Sequence, residues 1–292
     1  MNAWAVIVAY NPSGPGLSLL AEKLHMDSVH VLVVDNTPDL EAPEYLLPAS
    51  CNRLQLGRNA GIAAAQNLGI AFARQQGAEA IVFFDQDSVI VEGYVPSLLR
   101  HLRPTEPGVV GPACFDLEHG FEYPSFRLDG WGWAHKVYSH PGSGLQPVDM
   151  MISSGSATTV ATFDVAGTMD EDFFIDYVDL EWCIRCRRHG VPIHLVPECT
   201  MTHSIGQCSV DIGPLKAFLH SPARSYYRVR NAFLLLRCRH VPRLFAIKEI
   251  AAALVHHLLV LPQATSRSAH MRAYLSGISD GLRGVSGPKI YL

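Results

Sequence analysis

Four acidic positions fall where a folded chain can use them. Asp35 directly follows the apolar run 29–34, Asp85 and Asp87 follow the apolar run 80–84, and Asp179 lies between Asp176 and Glu181 in an aromatic-rich stretch. Alternate side chains leave a strand in the same direction, so Asp85-Gln86-Asp87 suits two carboxylates holding a divalent cation beside phosphate oxygens. The plain alternative is a solvated Asp-rich turn. An ionised Asp179 within reach of a hydroxyl is a general base, whereas Asp176, Asp179 and Glu181 together also fit the acidic first turn of a helix, matched to its macrodipole. His203 is one of 14 histidines, and either packs in the fold or ligates a metal.

The elements that must position these groups follow from periodicity. Short apolar runs at 4–10, 29–34, 53–56 and 80–84 predict buried strands, and Ala64, Leu68, Phe72 and Gln75 mark a helix over 61–76. Strand and helix alternate, which predicts an α/β body with a mainly parallel sheet. In such sheets ligands collect at the carboxyl ends of the strands, where Asp35, Asp85 and Asp87 fall. A helix reaching Gly190, a strand at 191–196 and three helices over 215–284, broken near Pro242 and Pro262, complete the pattern. The division expected is a catalytic domain over 1–214 and a helical C-terminal region over 215–292.

Several classes drop out. There is no GxGxxG after the first strand, no GxxxxGK[ST] and no GxSxG elbow, which counts against a dinucleotide-binding dehydrogenase, a P-loop NTPase and an α/β-hydrolase. A net charge of −4 and 17% charged residues do not make a nucleic-acid binder. Seven cysteines without regular spacing and a start lacking a basic then apolar leader predict a cytoplasmic chain with reduced thiols; Cys183-Ile-Arg-Cys186 has no second pair to build a zinc site.

Five segments in order, Tyr10-Asn11-Pro12, Val34-Asp35-Asn36, Gly57-Arg58-Asn59-Ala60-Gly61 with Asn67, Phe84-Asp85-Gln86-Asp87-Ser88 and Phe174-Ile175-Asp176-Tyr177-Val178-Asp179, resemble the inverting family 2 glycosyltransferases, and within them the bacterial rhamnosyltransferases. The resemblance spans roughly residues 4–206. It implies a GT-A-type, Rossmann-like fold with a helical appendage, a nucleotide-sugar donor such as dTDP-L-rhamnose, and Mg²⁺ or Mn²⁺. By that resemblance Ala9, Tyr10, Asn11 and Asp35 border the nucleobase and ribose, Arg58 and Asn59 help hold the nucleotide, Asp85, Gln86 and Asp87 form the DxD motif, and His203 adds a metal contact. Asp179 is the implied base. Val178 stands where many members have Glu, which keeps Asp176 and Glu181 in view. Gly155 and Trp182 are expected on the acceptor side, the latter because sugar C–H faces stack on indole; Trp131, Trp133 and Trp182 are otherwise core aromatics. Two rival readings remain: a haloacid-dehalogenase-like phosphatase with Asp85 as nucleophile, disfavoured because the motif ends the fourth strand, and a nucleotide-binding scaffold without catalysis.

Charge is unevenly spread. Residues 1–215 carry 11 basic and 25 acidic side chains and residues 216–292 carry 12 and 2. The apolar run 250–261, at 12 residues, falls short of the ~20 that cross a bilayer. Leu244, Ile247, Ala251, Leu254, Leu258 and Leu261 instead recur as on an amphipathic helix, which predicts either contact with an anionic membrane through 216–292, packing on the acidic body, or a homodimer interface. The acceptor expected is a saccharide or a lipid-linked saccharide, the latter placing the protein on the inner face of the cytoplasmic membrane.

Overall fold

The computed structural model describes residues 1–12, 15–39, 45–116, 120–202, 209–212, 215–218 and 220–289. The first half runs β1 (Ala3–Ala9), α1 (Gly16–Met26), β2 (His30–Pro38), β3 (Asn52–Gly57), α2 (Ile62–Gln75), β4 (Ala80–Asp85), α3 (Tyr94–Leu99), β5 (Val109–Asp116), β6 (Phe121–Tyr123), β7 (Ser125–Leu128) and β8 (Ala134–Val137). It continues with β9 (Gln146–Pro147), β10 (Ala157–Thr159), α4 (Val160–Ala166), α5 (Val178–Arg188), β11 (Ile193–Thr202), β12 (Ser209–Ile212) and β13 (Leu215–Phe218). Three helices follow, α6 (Pro222–Leu235), α7 (Arg243–Val260) and α8 (Arg267–Arg283).

The main sheet has the order β3-β2-β1-β4-β10-β5-β11-β9, with β6 added beside β5. Neighbours β3, β2, β1 and β4 are parallel, as are β5 and β11. Strand β1 shows why the core has two layers. Trp4 and Val6 face the layer under α2, and Ala5 and Ile7 face the layer under α1, so a strand buried on both sides reads as a continuous apolar run. Helix α2 lies close on the sheet because residue 69 is glycine: a Cβ there would stand 2.3 Å from Val6 Cγ1.

Strand β10 is antiparallel to both β4 and β5. Its reversed direction carries the preceding residues, 153–156, to the carboxyl edge of β4. Three residues long, it left no periodicity to read.

The C-terminal helices do not begin at 215. The expected boundary falls between two paired strands, β12 and β13, and the helices start at Pro222. They also share a core with the sheet: Val229, Ala232, Leu234 and Phe245 pack in the cluster that contains Phe83, Phe163 and Trp182. Helix α7 is longer than the 12-residue apolar run, and Arg243–Gln263, with its 3-10 extension, is long and apolar enough to cross a membrane by length and composition. The described cysteines, at 51, 114, 183, 186, 199 and 238, are free thiols.

Candidate active site

The carboxyl ends of β1, β2 and β4 open into a cleft of about 1020 Å³. Asp85, Gln86 and Asp87 line one side, and Asp176 and Asp179 line it too, so the two motifs that are 90 residues apart in sequence share one cavity. Asp85 is half-buried and Asp87 exposed. The loop that bears them is fixed from two directions. The Asp85 N–H donates to Ser154 Oγ at 3.1 Å, Ser88 and Ser154 hydroxyls meet at 2.9 Å, and Tyr10 N–H donates to Gln86 Oε1 at 2.7 Å. Ser154 is thus the brace of the Asp85 loop, while the neighbouring Ser153 serves Asp179.

Asp179 opens α5. Its carboxylate accepts from the N–H groups of Leu180, at 2.9 Å, and Ser153. Burial is the largest influence and pushes its pKa up to about 6; the nearby Asp176 carboxylate adds to the rise, and the backbone N–H bonds oppose it. A carboxylate titrating near 6 is mostly ionised at neutral pH, yet basic enough to take a proton.

The loop before α5 is strained. Phe174, Asp176 and Tyr177, none of them glycine, have φ of 63°, 61° and 65°. Such conformations persist only when the surroundings over-determine them. Here α6 does so: Asn231 Nδ2 donates to the carbonyls of Phe173, Ile175 and Asp176 at 2.8, 2.6 and 3.0 Å, and the fully buried Arg230 donates to those of Asp172, Phe173 and Gly287. From the other side the Ile62 N–H at the start of α2 donates to Phe174 O at 2.8 Å. Gly61 is obligatory at that junction, since its φ is +86° and a Cβ would meet Phe174 Cδ2 at 2.5 Å.

Helices α6 and α7 also supply the far wall of the cleft with Arg224, Tyr227, Arg228 and Glu249. Arg224 holds Asp176 through its Nη2 at 3.0 Å and its Nε at 3.2 Å, and it lies close enough to feel the charges of Asp85 and Asp179. The Tyr177 hydroxyl donates to Glu249 at 3.3 Å. None of these wall residues was legible in the sequence, because they lie beyond the family motifs on helices whose cleft face is set by packing alone.

The other expected positions sort as follows. Tyr10 and Asn59 line the cleft, and Asn59 also shapes its own loop by accepting from Gly61 N–H at 3.0 Å and from Asn36 Nδ2 at 3.1 Å. Ala9 is fully buried in the α1-side core, Asn11 donates its N–H to Thr37 Oγ1 at 2.8 Å, and Arg58 is exposed; none of the three lines the cleft. Asp35 is fully enclosed: its carboxylate accepts from Arg53 at 2.6 Å, Tyr45 at 2.9 Å and the Thr37 N–H at 3.1 Å, and although burial works to raise its pKa those bonds hold it below the ordinary value. It anchors the strand end rather than facing the cleft. Trp182 is not on the acceptor side, because its ring packs against Phe163 in the core and its Nε1 donates to Gly167 O at 2.9 Å. Gly155 is likewise internal, with φ +78° and Tyr94 and Met201 closing the space a Cβ would need. Glu181 turns away from the cleft into a buried pairing with Arg185 and His240 at 2.8 and 2.7 Å. His203 lies outside the described residues, and among those described no group of three or more His, Cys, Asp and Glu is placed to hold a metal.

With this geometry in place, residues 5–143 match the model of glycosyl transferase family 2. The chain is 38% identical over 287 residues to the dTDP-rhamnosyl transferase RfbF of Shigella flexneri, covering 98% of this chain and 97% of that one. It belongs to glycosyl transferase family 2. A second relative, the low-salt glycan biosynthesis hexosyltransferase Agl10 of Haloferax volcanii, is 25% identical over 212 residues, covering 70% of this chain and 66% of that one. Solved structures agree on the fold. S. aureus TarS 1-349 in complex with UDP-GlcNAc superposes with TM-score 0.56 at 14% identity, covering 98% of this chain and 82% of that one. GalNAc-T7 with UDP, GalNAc and Mn2+ gives 0.56 at 12% identity, with this chain spanning 56% of its length. The family 2 chain is therefore a glycosyltransferase with a GT-A fold.

Proposed function

We propose that this glycosyltransferase moves L-rhamnose from dTDP-L-rhamnose to a hydroxyl of a saccharide or lipid-linked saccharide, with inversion at the anomeric carbon. The donor follows from the near full-length likeness to a dTDP-rhamnosyl transferase. The mechanism rests on one observation: Asp179, with a pKa near 6, shares its cleft with Asp85 and Asp87.

Asp85 and Asp87 offer hard carboxylate oxygens from one loop, which fits Mg²⁺ or Mn²⁺ completed by diphosphate and water oxygens. A divalent ion bound there would offset the negative charge gained by the departing nucleoside diphosphate. Arg224 and Arg228 add positive charge to the opposite wall. Asp179 takes the proton of the acceptor hydroxyl as its oxygen attacks carbon 1. The bond from that carbon to the diphosphate oxygen breaks on the opposite face, so configuration inverts. Tyr10, Asn59 and Gln86 line the side where the nucleoside would lie.

The test is thermal stability of the pure protein with dTDP, UDP or GDP, each with and without Mn²⁺ or Mg²⁺, since a ligand of the folded state raises stability by RT ln(1 + [L]/Kd). The reading expects a metal-dependent shift largest for dTDP, and loss of the metal dependence in Asp87→Ala. A larger shift with UDP or GDP would reassign the donor; a metal dependence unchanged in Asp87→Ala would remove the cation from this pair.

A further inference from the structure

Helix α7 has two faces with different surroundings. Phe245, Ala246, Ala253, His257 and Val260 are buried, and Glu249 reaches the cleft. Its other face is apolar and uncovered: Leu244 is 41% exposed, Ile247 55%, Val255 54% and Leu258 54%. With the exposed Ala251 between them, spacings of three and four residues put these side chains along one side of the helix for most of its length. Soluble chains seldom leave so long an apolar stripe uncovered without a use for it.

The stripe continues onto a second element. Between β7 and β8, Asp129 accepts from the N–H groups of Trp131 and Trp133 at 2.9 Å, which projects the two indoles outward. Gly132 abuts Pro242 just before α7, and Lys248 lies 5.3 Å from the centroid of the Trp133 ring. Trp131 is 84% exposed and Trp133 47%, so neither is the core aromatic its type suggests. Tryptophan with one apolar and one polar edge is the residue type that settles at a membrane–water interface.

Charge identifies the occupant. The sequence from 250 to 266 carries no charged side chain, and the ends of the stripe carry the exposed Arg239, Arg243, Arg267 and Arg272, with Lys248 between. Glu249, the only acid between Glu181's partner His240 and Asp280 in the described helices, points into the cleft. An apolar strip with a basic rim and no outward acid complements an anionic bilayer surface. A second copy of the same positive face would bring like charges together.

The helix does not cross the bilayer, although its length would permit it. Glu249 is held by Tyr177, and His257 stacks on Tyr274 of α8 at 4.3 Å, so one side of α7 is committed to the fold. We propose that α7 and the β7–β8 tip form a docking surface that lies flat on an anionic membrane, with α7 as the boundary between that membrane and the catalytic cleft.

The test is flotation of the full-length protein with phosphatidylcholine vesicles and with vesicles containing phosphatidylglycerol, read without donor or acceptor so that it stands apart from the proposed transfer reaction. Binding is expected to the anionic vesicles at low salt and to fall at high salt. Ile247→Glu with Leu258→Glu should reduce it at least tenfold, and Arg243→Gln with Arg267→Gln should weaken it roughly fivefold per charge removed. Circular dichroism melting and dTDP affinity should match wild type in these surface variants. Wild type that fails to float with anionic vesicles at low salt overturns the proposal, as does undiminished flotation of the Glu variants. Sedimentation showing a dimer that the Glu variants convert to monomers, without vesicle binding, assigns the stripe to a second copy instead.

Discussion

Asp179 carries two opposed consequences of one environment. Burial raises its pKa from 3.8 to about 6, so in that interval the folded protein binds more protons here than the unfolded chain does. The stability contributed by this group is present below the lower value and is lost as pH rises through the upper one. Asp179→Asn should therefore melt at or above the wild-type temperature at pH 8, while transfer collapses. Wild-type kcat/KM should rise with pH through about 6 as the base ionises, and Asn at this position should lose that limb. Arg224 tests the same electrostatics from outside. Removing its charge with Arg224→Met leaves Asp176 uncompensated beside the base, and the acidic limb is expected to move to higher pH with turnover down at least tenfold; an unmoved limb would mean that Arg224 acts on the substrate alone. At this scale the sequence pointed to Asp85, Asp87 and Asp179, which the fold gathers in one cleft. It misled at Trp182 and Gly155, because an indole or a glycine beside a motif does not reveal which side of the helix or strand it faces.

Among the elements, α6 decides whether the proposed base is in place. Asn231 caps three carbonyls of a loop with three left-handed residues, and Arg230 two of its neighbours. An Asn231→Ala change leaves the carbonyls of Ile175 and Asp176 without this donor, a loss of about 1–3 kcal/mol, which for a chain of this length is a melting decrease of roughly 2–5 °C. Turnover should fall by more than dTDP affinity, since the nucleotide side is braced separately through Gln86 and Ser154; equal loss of both would show that the loop only supports the fold. Strands β1, β2 and β4 were legible because burial on both faces leaves apolar runs, and α2 through its helical spacing, whereas the expected buried strand at 53–56 is a largely exposed edge. Strand β10 was not, although its reversed direction is what brings Ser153 and Ser154 to the site. The glycines explain part of the motif pattern: Gly61 and Gly69 occur where a Cβ would collide with Phe174 and Val6.

For the whole molecule, the split between an acidic body and a basic C-terminal quarter suggested an appendage, and the structure shows a partnership. The last helices complete the core, clamp the loop before α5 and supply Arg224, Arg228 and Glu249 to the cleft. Their basic charge has two destinations that composition cannot separate, inward to Asp176 and outward to the rim of α7. In the proposed mechanism the donor lies on the β4 side, the base on α5 and a wall comes from α6 and α7, so the three come together only in the full chain. Release of dTDP from dTDP-L-rhamnose with an acceptor saccharide, compared between wild type and Asp179→Asn alongside their dTDP affinities, tests this arrangement most directly. The account predicts affinities within about twofold and turnover lower by ~10²-fold or more in the variant. Turnover close to wild type, with the limb near pH 6 retained, would contradict it.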